Sequence, residues 1–135
     1  MSTYYNKTIV DGFYGSFRAD PDQANIPIYS RCKFVNAVSA DGKACLQVAG
    51  ITERADVVAM QPIVAGEWGT VKFLNGCGEQ FAIATETITR GDELYSAASG
   101  QMSKSSGSSA VLCGRATSDA TATNVFTYSP YAGQF

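Results

Sequence analysis

The sequence predicts an all-β fold, a small single-domain barrel or sandwich built from two related halves, with an extended N-terminal arm. Three observations lead there. Short runs rich in β-branched and aromatic residues recur at intervals of about ten residues, and Gly, Asn and Asp punctuate them. No stretch carries the three-and-four spacing of apolar residues that an amphipathic helix needs. At 135 residues, the chain has the length of one domain with a real core.

Taken in order, the predicted strands begin with KFVNAV (33–38) and ACLQVA (44–49), joined by the ADGK turn (40–43). DVVAMQP (56–62) follows, then the AGEWG turn and TVKFL (70–74). EQFAIATETI (79–88) sets Phe81, Ile83, Thr85 and Thr87 against Gln80, Ala82, Ala84 and Glu86, the two-residue alternation of a strand. An NGCG turn (75–78) between these last two runs predicts a hairpin, because Asn and Gly tolerate the positive φ of tight connections. ELYSAA (93–98), AVLCGRA (110–116) and NVFTYS (124–129) complete the set, with ASGQ (98–101) as a further turn.

The second part of the chain reads as a worn copy of the first. Val57 and Val71 align with Val111 and Val125 at a common offset of 54, without a gap between them. Gly42 aligns with Gly100 at an offset of 58, so a loop is shorter in the second copy. Two copies are too few for a solenoid and must fold on each other.

Residues 1–30 differ in kind and are assigned to an arm, residues 31–129 to the β domain and residues 130–135 to a tail. Tyr4, Tyr5, Phe13, Tyr14, Phe17 and Tyr29 stand in the arm amid Gly, Asp and Pro, and the tail holds Tyr131 and Phe135. Aromatic side chains are costly to leave in water. Two arrangements would cover them: packing on their own barrel, or reaching a neighbour as an added strand at a sheet edge.

Composition narrows the function. Charged residues make up 16% of the chain and apolar residues 45%, which is sparse charge for a bare monomer surface and suggests cover by a partner. Ten basic residues against twelve acidic ones, with no basic run, argue against nucleic acid. No run of apolar residues is long enough to span a bilayer, and the N-terminus lacks a secretory pattern, so synthesis in the cytosol is expected. Cys32, Cys45, Cys77 and Cys113 have no metal-ligand spacing and read as buried thiols, with a Cys45–Cys77 disulfide left open.

An enzyme is not expected, nor any cofactor or bound metal. The chain has no histidine, which removes the commonest general base and metal ligand. Glu67, Glu79, Glu86, Asp92 and Glu93 are the available carboxylates, and none sits in a pattern that demands acid–base work. SKSSGSS (103–109) lacks the glycine spacing and helix of a phosphate cradle, and the RGD tripeptide at 90–92 falls where a tight turn is needed. Trp68, beside Gly66 and Gly69, reads as a barrel cap or an interface residue.

The segments SADGKACLQVAG, ADVVAMQPIVAGEWGTVKFLNG, AIATETITRGDELYSAASGQMSKSSG and AVLCGRATSDATATNVFTYSP together resemble the capsid cement, or head decoration, proteins of tailed bacteriophages. That family repeats a DGK hairpin, a VGVA strand, an AAGE turn and a VRLL-like strand, and residues 31–129 carry the counterparts. The second round departs from the pattern, with SDATATN (118–124) in place of the glycine turn. The resemblance implies a structural virion protein on the outer head surface, made in the bacterial host cytoplasm. It would bridge adjacent subunits of the major capsid protein and hold the shell against packaged DNA. It implies a homo-oligomer, a trimer first and a dimer second, with no direct nucleic-acid or membrane partner. The capsid or protomer contacts expected on that basis are Tyr4, Tyr5, Phe13, Tyr14, Phe17, Trp68, Tyr131 and Phe135. A virion-surface module that binds carbohydrate or a host receptor is the alternative.

Overall fold

The computed structural model describes residues 13–38, 42–74, 78–107 and 109–131. Among these described residues ten strands follow one another: β1 (Tyr14–Arg18), β2 (Arg31–Val38), β3 (Ala44–Val48), β4 (Val57–Ala59), β5 (Trp68–Phe73), β6 (Gln80–Ile83), β7 (Glu93–Ser96), β8 (Met102–Ser103), β9 (Leu112–Ala116) and β10 (Val125–Pro130). They form two antiparallel five-stranded sheets, in the orders β1-β5-β4-β2-β3 and β6-β10-β9-β7-β8. The second order is the first with five added to every number. The chain is therefore all-β and built from two halves of one topology.

Each sheet curls so that its edge strands approach each other without closing a barrel. An isolated parallel bridge joins Ala19 to Leu46 in the first half and Ala84 to Met102 in the second. The side chains turned into the first curl form one core: Ala19, Ile26, Cys32, Leu46, Val57, Ala59, Ile63 and Val71. The second curl encloses Ala82, Ala84, Ile88, Leu94, Met102, Cys113, Ala116, Phe126 and Tyr128. Burying each large aliphatic or aromatic side chain contributes about 1.5 to 3 kcal/mol, so two small filled curls are enough to hold the strands. Alternation along β4 sends Val57 and Ala59 into the first core and Val58 to the other face, where it packs with Ala49, Ala55 and Leu74.

The repeat is in register at 57 residues, which corrects the offset of 54 read from matching valines. Ala59 opposite Val71 corresponds to Ala116 opposite Tyr128. The bond from Met60 N to Thr70 O recurs from Thr117 N to Thr127 O, each 2.9 Å. Leu74 N to Asp56 O recurs as Tyr131 N to Cys113 O. Tyr128 occupies the place of Val71 and Gly114 the place of Val57, so residue identity misled where backbone position did not.

A second correction concerns the NGCG turn. Strand β5 pairs with β1 and β4, whereas β6 pairs with β10, so β5 and β6 form no hairpin and the segment between them connects the two halves. Asn75, Gly76 and Cys77 themselves lie outside the described residues. The ADGK hairpin is present as the β2–β3 pair, and the ASGQ turn leads from β7 into β8, a two-residue strand outside the predicted set.

Of the segment assigned to an arm, Tyr14–Arg18 form a strand of the first sheet, and Ala19 and Ile26 add single bridges to it. Strand β1 pairs with β5 over five positions, from Tyr14 opposite Lys72 to Arg18 opposite Trp68. Ile26, bridged to Ile63, is buried in the first core.

The halves meet through a few specific contacts. The Tyr29 ring of the first half stacks on Phe81 of the second at 5.2 Å between centroids. Lys72 Nζ donates to Glu79 O at 2.7 Å. Ser96 Oγ donates to Ile51 O and accepts from Val111 N. Arg31 is fully buried and donates to Glu53 O at 3.0 Å, and the Gly100 backbone lies directly against it. Cys32, Cys45 and Cys113 are free buried thiols. Burial pushes the Cys32 thiol up to about 12 and raises Cys113 as well.

Candidate interaction face on the first sheet

Strand β1 is an edge strand, and its alternation sorts its side chains onto two faces. Phe17 turns toward the curl, where its ring lies 4.7 Å from Phe34 and 6.0 Å from Phe73. Tyr14, Ser16 and Arg18 turn outward, opposite Lys72, Thr70 and Trp68 of β5. These rows make one strip along the sheet. Tyr14 and Trp68 mark its ends, four positions apart along the strand direction, or about 14 Å at about 3.4 Å per residue. Phe13 precedes Tyr14 in the ladder, with its carbonyl accepting from Phe73 N at 2.8 Å, and belongs to the other row of the alternation. Phe13 is 65% exposed, Tyr14 50% and Trp68 44%. Tyr14 and Trp68 share the outward face, and Tyr and Trp are the residue types enriched at interface hot spots.

Two cations stand at the Trp68 end. Lys43, arriving from the β2–β3 connection, donates to Ser16 O at 2.6 Å, and its ammonium lies 4.2 Å from the Phe17 ring centroid and 5.6 Å from that of Trp68. Arg18 Nε donates to Gly66 O at 2.7 Å. The turn carrying Gly66 is itself tied to β1, through Gly66 N to Ala19 O and Ala19 N to Glu67 O. The positive φ of Gly66, 83°, makes that tight return possible.

The structure thus sets Phe13, Tyr14 and Phe17 along the β1 edge, with Tyr14 and Trp68 at opposite ends of the outward strip and Phe17 turned into the curl. Tyr131 lies elsewhere, on the second sheet, with its hydroxyl 3.3 Å from Glu93 Oε2. Tyr4, Tyr5 and Phe135 lie outside the described residues. Arg18 and Lys43 were missed by sequence reasoning. Each is an isolated cation, and only the alternation Tyr14, Ser16, Arg18 hinted that one of them shares a face with an aromatic residue.

The carboxylates take local hydrogen bonds. Glu86 accepts from the Ser103 and Ser105 hydroxyls, which hold its carboxyl below the usual range. Glu79 accepts from Thr117 Oγ1 at 2.6 Å, and Asp92 from Thr89 N at 2.9 Å. Glu67 is exposed. The RGD segment forms a turn with Gly91 at φ 93°, while Arg90 pairs with Asp119 at 3.3 Å. Among the described residues no group of three or more His, Cys, Asp or Glu could hold a metal ion, and no helix is long and apolar enough to cross a membrane.

No protein-family model matches the sequence, and no curated protein sequence does. Among solved structures, the fold is similar to the head fiber gp8.5 N base of bacteriophage phi29, with a TM-score of 0.68. The likeness covers 91% of this chain and 97% of that one at 18% sequence identity. At that identity the shared property is the fold, over nearly the whole of both chains.

Proposed function

We propose that this chain is a structural protein of a phage virion. It binds the outer surface of the head and cements adjacent subunits of the major capsid protein, stabilising the shell against the pressure of packaged DNA. The observation that carries the proposal is the full-length fold likeness to a phage head fiber base. The exposed aromatic residues support it, since Phe13, Tyr14 and Trp68 offer the large rigid side chains that dominate binding energy at protein interfaces. Tyr4, Tyr5, Phe13, Tyr14 and Phe17 are the proposed capsid contacts and Trp68 the proposed protomer contact, with Tyr131 and Phe135 as further contacts. A lattice presents the same surface many times, so a homo-oligomer, trimeric or dimeric, sums modest contacts into firm attachment. The chain acts mechanically and catalyses no reaction. Co-sedimentation with expanded heads lacking the protein tests the proposal: saturable binding supports it, and absence of binding refutes it.

One observation favours a second reading. Trp68 stands half-exposed in a row with the hydroxyl-bearing Ser16 and Thr70, an arrangement that also suits a sugar ring. A carbohydrate or host-receptor module would lose glycan binding in Trp68→Ala while head binding survives.

A further inference from the structure

We infer that the seam between the two halves holds a buried water site, anchored on the carboxamide of Gln80.

Alternation along β6 places the side chain. Phe81 faces out of the second curl, where Tyr29 stacks on it, so Gln80 turns inward on the same side as the core residues Ala82 and Ala84. Gln80 stands opposite Tyr128 of β10, and both are fully buried. Its chain neighbour Glu79 accepts the bond from Lys72, which puts Gln80 at the end of the second curl that meets the first half. The charge of Arg31 acts on Tyr128 and Cys113, which brings this buried side chain of the first half to the same end.

Neither Nε2 nor Oε1 of Gln80 has a hydrogen-bond partner among the described residues. A buried carboxamide in that state has given up its hydration for nothing, and internal water is how proteins satisfy such groups. The chemistry of the group selects the occupant. A carboxamide is uncharged and offers two donors and an acceptor, so it suits a neutral molecule that both donates and accepts. Both atoms are closed off from solvent, so the occupant is small, and water meets both conditions.

The surroundings favour water as well. Among the described residues the buried polar or charged side chains are Asp20, Ser30, Arg31, Lys72, Gln80 and Ser96, and all but Asp20 lie where the halves meet. Each apolar cluster stays within one half, two in the first and one in the second. The seam is therefore closed by polar groups, not by a shared apolar core that would keep water out.

The first half shows that the fold does not require a polar group at this place. The counterpart of Gln80 is Gly15, which stands opposite Val71 as Gln80 stands opposite Tyr128. There the rings of Phe17 and Phe73 close the position, each 3.0 Å from where a Cβ would be. The carboxamide occurs only in the copy whose end abuts another half.

Two measurements on the full chain test the site. In a crystal structure of the wild type, an ordered water is expected at about 2.7 to 3.2 Å from Gln80 Nε2 or Oε1. A carboxamide bonded directly to protein groups, an ion at that place, or no density there overturns the inference. Magnetic relaxation dispersion of water oxygen-17 counts waters that stay bound longer than the protein takes to tumble. The wild type is expected to hold at least one more such water than Gln80→Met, whose unbranched side chain is of similar length and carries no amide. Equal numbers in the two proteins overturn the inference, and where Gln80→Met does not fold the wild-type crystal structure decides.

Discussion

Thr123 and Gly66 occupy the same turn in the two halves, and Thr123 makes it at φ 70° where Gly66 makes it at φ 83°. The hydrogen bonds agree: Gly66 N donates to Ala19 O at 3.0 Å and Thr123 N to Ala84 O at 2.7 Å. The second half has lost the glycine but not the conformation that glycine serves. A β-branched residue in the left-handed region is strained, at a cost of about 1 to 3 kcal/mol. Thr123→Gly is therefore expected to stabilise the protein by about 1 kcal/mol, or roughly 3 to 5 °C in Tm. Thermal melts check this, and an unchanged or lower Tm would mean that Thr123 holds the turn without strain.

Gly100 joins the halves by close approach. A Cβ there would meet Arg31 O at 2.9 Å and Arg31 N at 3.0 Å, both backbone atoms that cannot swing aside, at a φ of +72°. Gly100→Ala is expected to cost about 2 to 4 kcal/mol through clash and backbone strain together. Gly42 is the control: its φ is +87°, but nothing lies within 4 Å of an added Cβ, so Gly42→Ala should cost only about 1 kcal/mol. Urea titration of both variants measures the gap, and equal losses would contradict the contact at Arg31.

Acid should destabilise the fold through three carboxyls. Hydrogen bonds from Ser103 and Ser105 hold Glu86 low, a bond from Lys33 and another from Gly50 N hold Glu53 low, and Asp22 N and Gln47 hold Asp20 low. A carboxyl whose folded pKa lies below its unfolded value contributes stability that is complete above the unfolded value and is lost as pH falls through the folded one. The unfolded values are 4.5 for Glu and 3.8 for Asp. Tm is thus expected to be level with respect to these groups above about pH 5 and to fall below about pH 4. Glu86→Gln should flatten that fall. A Tm that holds steady to pH 2.5, or an unaltered slope in the variant, would contradict the assignment.

The thiols report global opening. Cys32, Cys45 and Cys113 are buried, and Cys32 has its thiol pushed up to about 12, so the nucleophilic thiolate is both rare and covered. In a Cys77→Ser background, a disulfide reagent at pH 8 is expected to label these three only as fast as the protein unfolds. Immediate labelling of any of them in native buffer would contradict its burial.

Much of the fold was legible because strands announce themselves by β-branched and aromatic residues whatever sheet they join. Sheet membership was less legible. The NGCG turn carries the local chemistry of a hairpin, yet which sheet β6 joins is decided by its partner β10, some forty residues on. The repeat was visible but displaced by three residues, because Val57 and Val71 were matched to the valines nearest the expected place. Their structural counterparts, Gly114 and Tyr128, share no chemistry with them. Strand β1 was hidden for a related reason: as an edge strand with Tyr14 and Ser16 open to solvent and Phe17 half-covered, it shows no clean division of apolar and polar residues. At the candidate face, Tyr14, Phe17 and Trp68 could be picked out as aromatic residues needing cover. Arg18 and Lys43 could not, since 25 residues separate them in sequence and only the curl of the first sheet sets both beside the aromatic strip.

The most direct test of the virion assignment is to mix the purified protein with expanded phage heads lacking it, pellet the heads, and challenge the loaded particles with heat or urea. Saturable occupancy, with a loaded head that withstands more heat or denaturant than the bare one, is the outcome expected of a cementing protein. Heads that pellet without the protein would contradict head binding itself. Heads that bind it but break at the same point as bare ones would contradict cementing.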